Sequence, residues 1–283
     1  MNNVPIGRWS GRLAAAIAAI ALVAGFTAAP ATAASPDPVY IALGDSYAAG
    51  TGGGLYTAQP DKIPSDSPCL QTAASYPAVR NATLNLGCFG ATTEDVSGIA
   101  TLYASELAAA TVVTVTVGGN DIDTGQVAFA CTASGSSPAC QTALYNSLVV
   151  KLRALPGKIK AMLQTVKSKA PNARVVLTGY PRLFTVSAGL TAEQTQAARS
   201  MNSAADLLNA TIAFSALVNR AGYVSVTDKF AGHGIGSTSP WIVGPTGLCS
   251  LAINCSASPY DAFHPTATGY RDGYAAALGA RVP

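Results

Sequence analysis

The sequence predicts a doubly wound α/β fold, in which helices cover both faces of a central parallel sheet. Short apolar or β-branched runs alternate along the chain with longer stretches that carry leucine or alanine at helical spacing. Such runs are typical of parallel strands that are buried on both faces. Each run ends in turn residues, and the alternation favours a three-layer α/β/α sandwich in a single domain.

The predicted strands all carry two or more apolar or β-branched residues in a row. In chain order they lie at residues 39–43, 82–86, 111–117, 174–178 and 223–227, the second being the least regular. The carboxyl ends of parallel strands meet at one edge of a sheet. We therefore expect the functional loops at that edge.

Helical patterns fill the intervals between the strands. Residues 142–169 carry leucine or isoleucine at helical spacing, and Pro156-Gly157 is expected to break or kink this helix. Residues 191–220 form a second long helix with Thr191 as its N-cap. A last helix is predicted over residues 264–278, because proline at position 265 is favoured in a first turn.

Residues 1–33 are predicted to be a secretory signal peptide. Two arginines precede an apolar run at 13–26, and small residues follow it up to Ala33. The run is short for a membrane span, and an uncleaved anchor is the alternative. We expect an exported protein whose folded domain comprises residues 34–283.

Composition limits the classes of partner. Of the 17 basic residues, Arg8 and Arg12 lie in the predicted signal peptide, so 15 remain against 14 acidic ones. This near-neutral balance argues against a nucleic-acid partner or strong attraction to a membrane surface. A charged fraction of 11% beside 49% hydrophobic residues indicates a compact globule.

Six cysteines in an exported chain predict three disulfides. The sequence does not choose among the possible connectivities. Proximity along the chain favours three pairs: Cys69–Cys88, Cys131–Cys140 and Cys249–Cys255. The chain has no Cys-x-x-Cys pair, and its two histidines are far apart in sequence, so we predict no metal site.

The end of the first predicted strand carries a candidate nucleophile. Gly44-Asp45-Ser46 follows the strand directly, which places a serine at the sheet edge. Its backbone N–H can then point at a developing oxyanion. The structural alternative is an ordinary turn with a capping serine.

Two further segments carry candidate oxyanion donors. Asn120 follows Gly118-Gly119 after the most β-branched strand, and its amide offers two N–H donors without a charge. Gly90 offers an unhindered backbone N–H in the segment 87–93. Ordinary turn chemistry is the alternative for both segments, with a disulfide anchor at Cys88.

A candidate base lies near the carboxyl terminus. A serine hydroxyl is a poor nucleophile until a base removes its proton, and histidine suits that role near neutral pH. His264 follows Asp261 by three residues, so the carboxylate can orient the ring. His233 lies between glycines and is the weaker candidate. A capping aspartate beside a surface histidine is the structural alternative.

These four segments, in this order, resemble the sequence blocks of the SGNH, or GDSL, hydrolase superfamily. Ser46, Gly90, Asn120 and the Asp261-x-x-His264 pair match the blocks. The resemblance covers the whole mature chain and is strongest to secreted actinobacterial lipases and esterases. Tyr47 stands where the family name has leucine. In some relatives a backbone carbonyl supports the histidine, which leaves the role of Asp261 open.

The resemblance implies a flavodoxin-like α/β/α sandwich and a secreted serine ester hydrolase. Ser46 would form an acyl-enzyme, His264 would act as base, and the oxyanion hole would comprise Ser46, Gly90 and Asn120. It implies no metal and no cofactor. We expect a monomer that acts on small-molecule or lipid esters, without nucleic acid or integral membrane association.

The substrate class rests on weaker observations. The resemblance favours fatty-acyl esters, and the apolar segment 240–245 with Phe89 and Tyr47 is a candidate lining for an acyl groove. Simple packing of that loop is the alternative. A carbohydrate acetyl esterase is the nearest rival function. Sugar-binding sites usually expose tryptophan, and Trp241 is the only tryptophan of the mature chain, which favours a lipid substrate. A non-catalytic binding protein on the same scaffold is disfavoured by the complete set of candidate catalytic residues.

Overall fold

A five-stranded parallel sheet forms the centre of the molecule. The structure, a computed structural model, describes residues 38–64, 66, 68–187, 189–245, 258 and 260–282. The strand order is β2-β1-β3-β4-β5, and all four neighbouring pairs are parallel. The strands are β1 (Tyr40–Gly44), β2 (Leu84–Gly87), β3 (Val112–Thr116), β4 (Arg174–Thr178) and β5 (Gly222–Val224). This is the flavodoxin-like order, which confirms the predicted fold class.

Helices follow most strands and cover the sheet. They are α1 (Ser46–Ala49), α2 (Tyr76–Val79), α3 (Thr93–Leu102), α4 (Ala104–Ala108), α5 (Thr124–Ala133), α6 (Pro138–Tyr145), α7 (Leu155–Lys169), α8 (Ala192–Val218) and α9 (Ala276–Leu278). Two 3-10 turns lie at Asn120–Ile122 and Gly279–Arg281.

Alternating strand residues face two separate cores, as expected of a sheet with both faces covered. Ile41 and Leu43 of β1 belong to one apolar cluster, together with residues of α3 and α7. Tyr40 and Ala42 belong to the other, together with Tyr270. The fold is therefore a three-layer sandwich.

The predicted helix at 142–169 is two helices. α6 ends at Tyr145, a π-helical turn spans Asn146–Lys151, and α7 begins at Leu155. The interruption thus precedes Pro156 instead of falling on it. Proline lacks an N–H, and residues in the first turn of a helix have no intrahelical acceptor for one, so Pro156 suits the start of α7.

The two later helices begin differently from each other. α8 has Thr191 as N-cap, as predicted, in a capping box with Gln194. The last helix does not begin at His264-Pro265, because Pro265 pairs with Ile242 in an isolated bridge. The helix starts beyond Thr266, whose side chain accepts from the N–H of Gly269 at 3.3 Å.

Disulfides Cys69–Cys88 and Cys131–Cys140 are both formed. The predicted pair Cys249–Cys255 and the predicted signal peptide lie outside the described residues. None of the helices in the described ranges is long and apolar enough to cross a membrane.

Candidate active site

Ser46 lies where β1 turns sharply into α1. Gly44 has a φ of +137°, and a Cβ there would come within 2.3 Å of the Thr116 carbonyl oxygen, so glycine is required. The N–H of Asp45 donates to the same oxygen at 2.8 Å. The Asp45 side chain then caps α1 by accepting from the N–H of Tyr47 at 3.0 Å. This turn places Ser46 at the first position of α1, at the carboxyl edge of the sheet.

The His264 ring meets the Ser46 hydroxyl directly. The distance between His264 Nε2 and Ser46 Oγ is 2.7 Å, although 218 positions separate the residues in sequence. Backbone hydrogen bonds to Val243 fix the histidine segment, since the Val243 N–H donates to the His264 carbonyl at 2.8 Å. The Phe263 N–H donates to the Val243 carbonyl at 2.8 Å.

Tyr47 makes a hydrogen bond to the same segment and packs near the ring. Phe263 has a φ of +66°, which is a strained backbone conformation for a bulky residue. The Tyr47 hydroxyl donates to the Phe263 carbonyl at 2.7 Å. The Tyr47 ring also lies 5.1 Å from the His264 ring. A tyrosine at this position therefore holds the backbone just before the candidate base.

The surroundings of His264 favour the neutral ring. Burial lowers the pKa of His264 to about 4, while the carbonyls of Ala262 and Tyr260 and then the charge of Asp261 act in the opposite direction. Nδ1 makes no regular hydrogen bond within the described part of the chain. A neutral imidazole can accept the serine proton.

Asp261 lies three residues before the histidine, and its carboxylate contacts a tyrosine hydroxyl. Its carboxylate accepts a short hydrogen bond from the Tyr56 hydroxyl. Its backbone carbonyl accepts from the backbone N–H of His264 at 3.1 Å. The charge of Asp261 favours the protonated ring, after the two backbone carbonyls. The sequence suggested two possible supports for the ring, a backbone carbonyl and the Asp261 carboxylate, and both act on it here.

Gly90 and Asn120 line the same cavity as Ser46 and His264. Gly90 has a φ of +78°, which favours glycine, and no atom lies within 4 Å of the position a Cβ would take. The Asn120 amide donates to the Ala91 carbonyl at 3.0 Å, which orients it and leaves a second N–H. The structure therefore brings the predicted donors to one space.

A buried network beneath the nucleophile was missed by the sequence analysis. Tyr180, which follows β4, donates its hydroxyl proton to Asp45 at 2.5 Å and accepts from the Gly119 N–H at 3.1 Å. It thereby joins the ends of β1, β3 and β4. Burial raises the pKa of Asp45 to about 7, and the hydrogen bond from Tyr180 opposes this. The tripeptide 179–181, Gly-Tyr-Pro, is typical of a turn after a strand, and this pattern does not indicate the role of Tyr180.

The cavity next to Ser46 has a volume of about 160 Å³. Phe89 and Tyr47 line it, as expected, but the segment 240–245 does not; that segment pairs with the histidine segment, and Trp241 stacks on His233. Helices α5 and α8 contribute a large part of the apolar lining, including Val127, Ala128, Phe129, Met201, Ala204 and Leu208. Within the ranges the structure describes, no group of three or more His, Cys, Asp or Glu residues could hold a metal ion.

The structure pairs a serine hydroxyl with a histidine ring at the carboxyl edge of a parallel sheet, beside an apolar cavity. This arrangement is typical of hydrolases that act through a nucleophilic serine. The sequence profile of the GDSL-like Lipase/Acylhydrolase family matches residues 42–271. The chain belongs to this family and is an ester hydrolase.

The relatives found include lipases of streptomycetes. Lipase 1 of Streptomyces coelicolor is 31% identical over 273 residues, which span 93% of this chain and 96% of that one. The crystal structure of an extracellular lipase from Streptomyces rimosus superposes with a TM-score of 0.73 at 28% identity, covering 85% of this chain and 98% of that one. Phospholipase A1 of Streptomyces albidoflavus gives a TM-score of 0.71 at 30% identity, with 86% and 98% covered.

Proposed function

We propose that the protein is a secreted carboxylic-ester hydrolase that cleaves fatty-acyl esters through an acyl-enzyme on Ser46. The observation that carries this proposal is the 2.7 Å contact between Ser46 Oγ and His264 Nε2 at the polar end of a mostly apolar cavity. Secretion is supported by the two buried disulfides and by the signal-peptide pattern of residues 1–33. The Streptomyces rimosus lipase to which this chain is similar is extracellular, which agrees with secretion.

The chemistry follows from the contact between the two side chains. Ser46 Oγ forms a bond to the ester carbonyl carbon as His264 Nε2 takes the hydroxyl proton. The tetrahedral intermediate then breaks its bond to the alcohol oxygen, which receives that proton from His264. Water attacks the resulting acyl-enzyme and gives a proton to His264. The acid departs as Ser46 regains its proton.

The oxyanion is held by the N–H groups of Ser46 and Gly90 and by the amide of Asn120. The three residues line one cavity, and none of these donor groups carries a charge that would attract water or counter-ions. Each such donor is worth about 3 kcal/mol of transition-state stabilisation in other hydrolases. Asp261 acts on the ring of His264 through its charge, beside the carbonyls of Ala262 and Tyr260.

The test compares the wild-type protein with Ser46→Ala on p-nitrophenyl esters from acetyl to palmitoyl. We expect the wild type to hydrolyse them and the variant to lose more than about a thousandfold in kcat, since the nucleophile is gone. The thermal melting temperature should stay within a few degrees, because Ser46 packs in a turn that Asp45 caps.

Ser215→Ala is the matched control. Ser215 is also buried, but its hydroxyl donates to the Thr211 carbonyl inside α8 and lies outside the cavity lining. This variant should retain wild-type turnover. Full activity in Ser46→Ala would overturn the proposed nucleophile, and hydrolysis of acetyl esters alone would favour the carbohydrate acetyl esterase.

A further inference from the structure

A second, smaller cavity lies next to the same two helices as the first. Its volume is about 30 Å³, and its lining includes Cys131, Thr132, Ala197, Ala198, Met201 and Ile235. Met201 contributes to the linings of both cavities. Its side chain is 5% exposed, so it sits between the two spaces and not at the surface.

The two cavities follow one face of α8. The positions of α8 that line them are 194, 197, 198, 201, 204, 205 and 208, which repeat at three and four residues and so form one stripe. The positions that follow Met201 in sequence line the first cavity, and those that precede it line the second. Four of the seven are alanines, whose small side chains leave room between the helices.

The facing helix α5 lines the same two cavities in the opposite sequence order. Val127 and Ala128 line the first cavity, and Cys131 and Thr132, one turn further along, line the second. The space between α5 and α8 therefore runs from the nucleophile along both helices. The Met201 side chain interrupts it.

We propose that Met201 is the end wall of the acyl-binding cavity and limits the length of the acyl chain that the enzyme accepts, with the second cavity as a continuation behind it. This inference rests on the proposed ester hydrolysis. An acyl chain bound to Ser46 has its carbonyl carbon at the polar end of the first cavity, and its methylenes extend between α5 and α8 until they reach Met201. The unbranched thioether side chain fills an irregular gap of this kind well.

Shortening the wall tests the proposal. Met201→Ala should join the two cavities and shift the preferred p-nitrophenyl ester towards longer acyl chains. A methylene that becomes buried is worth about fourfold in kcat/KM, from its transfer free energy. The gain should therefore appear only for chains longer than the wild-type optimum and grow by about that factor for each methylene accommodated.

Two control variants separate the end wall from a general loosening of the core. Met201→Leu conserves volume, so its preferred chain length should shift less than that of Met201→Ala. Ala198→Val fills only the second cavity. It should leave the profile of the otherwise wild-type enzyme unchanged, yet cancel the extension when combined with Met201→Ala.

A variant in front of the wall keeps the proposal testable if Met201→Ala fails to fold. Ala205 is half-buried and lines only the first cavity. Ala205→Leu should therefore lower kcat/KM for the longest accepted chains and spare acetyl and butyryl esters.

The outcomes distinguish this inference from the proposed function. Ester hydrolysis by a folded Met201→Ala variant with an unchanged chain-length profile would overturn the end wall. So would a profile that Ala205→Leu does not alter. Absence of hydrolysis of every ester by the wild-type protein would instead overturn the proposed function itself.

Discussion

At the scale of single residues, kinetics can test which groups set the pKa of His264. Burial lowers the pKa of the ring to about 4, and the Asp261 charge opposes that shift after the carbonyls of Ala262 and Tyr260. The base must be neutral to accept a proton. The kcat/KM of the free enzyme should therefore fall only as the pH drops through the lowered pKa, well below the usual value for histidine.

Asp261→Asn removes the charge and should lower the pKa of His264 further. We expect the acid limb of the kcat/KM profile on a soluble ester to move to lower pH. The loss of kcat/KM at neutral pH should stay within about tenfold, as for a partly exposed charge pair. Tyr56→Phe, which keeps the charge and removes only the hydrogen bond to Asp261, should leave the limb in place. A loss as deep as that of His264→Ala would show that the carboxylate is essential.

The sequence predicted which residues approach Ser46 more completely than what holds them. Ser46, Asn120 and His264 each follow a recognisable turn, and the chemistry of a serine hydrolase requires their types together. Tyr180 contacts Asp45 across 135 positions of sequence. Nothing in the local pattern of either residue indicates that pairing, because it arises only when the ends of β1 and β4 converge on one sheet edge.

At the scale of elements, Asp45 couples α1 to the sheet. It caps α1 and accepts from Tyr180, and its raised pKa of about 7 exceeds the ordinary 3.8. Between these values the folded protein holds a proton that the unfolded chain has released. This contribution to stability is therefore complete below about pH 4 and is lost as the pH rises to about 7.

Asp45→Asn keeps a neutral side chain of the same shape and has no proton to lose. The melting temperature of the variant, relative to the wild type, should rise between pH 4 and pH 8. His264 titrates in both proteins, so its effect cancels in the difference. Tyr180→Phe removes the hydrogen bond that lowers the pKa of Asp45, and its loss of stability should extend to higher pH. Parallel curves for wild type and Asp45→Asn would refute this account.

The elements themselves could be predicted where a local rule decides them. β3 and β4 follow from β-branched runs, and the N-cap of α8 from Thr191. The start of the last helix was wrong because the rule that favours proline in a first turn did not foresee the bridge between Pro265 and Ile242. The cavity between α5 and α8 also escaped prediction, since it depends on how two helices pack and not on either sequence alone.

At the scale of the whole molecule, the parallel sheet gathers four distant segments at one edge. β1 leads to Ser46, β2 leads through Cys88 to Gly90, and β3 leads to Asn120. The histidine segment arrives last and pairs with residue 243. This topology explains why sequence blocks that are spread over the chain form a single site. The strand order brings the blocks together, and no single block specifies that order.

The two described disulfides should differ in what they stabilise. Cys69–Cys88 anchors the segment that presents Gly90, and the Cys88 N–H donates to the Gly44 carbonyl at 2.9 Å. Cys131–Cys140 joins α5 to α6 and lies beside the second cavity. They close loops of 19 and 9 residues in sequence separation. Constraint of the unfolded chain predicts a loss of roughly 3 kcal/mol of unfolding free energy for either one.

Paired serine substitutions test this difference. Both double variants should lose that stability in urea unfolding, but only Cys69→Ser with Cys88→Ser should also lower kcat/KM, because its loop carries Gly90, the proposed oxyanion donor. Measurements well below the midpoint of unfolding keep the kinetic comparison free of unfolded protein. Equal kinetic losses in both variants would mean that the disulfides act on the fold as a whole. An unchanged kcat/KM in the Cys69 and Cys88 variant would mean that backbone hydrogen bonds alone position Gly90.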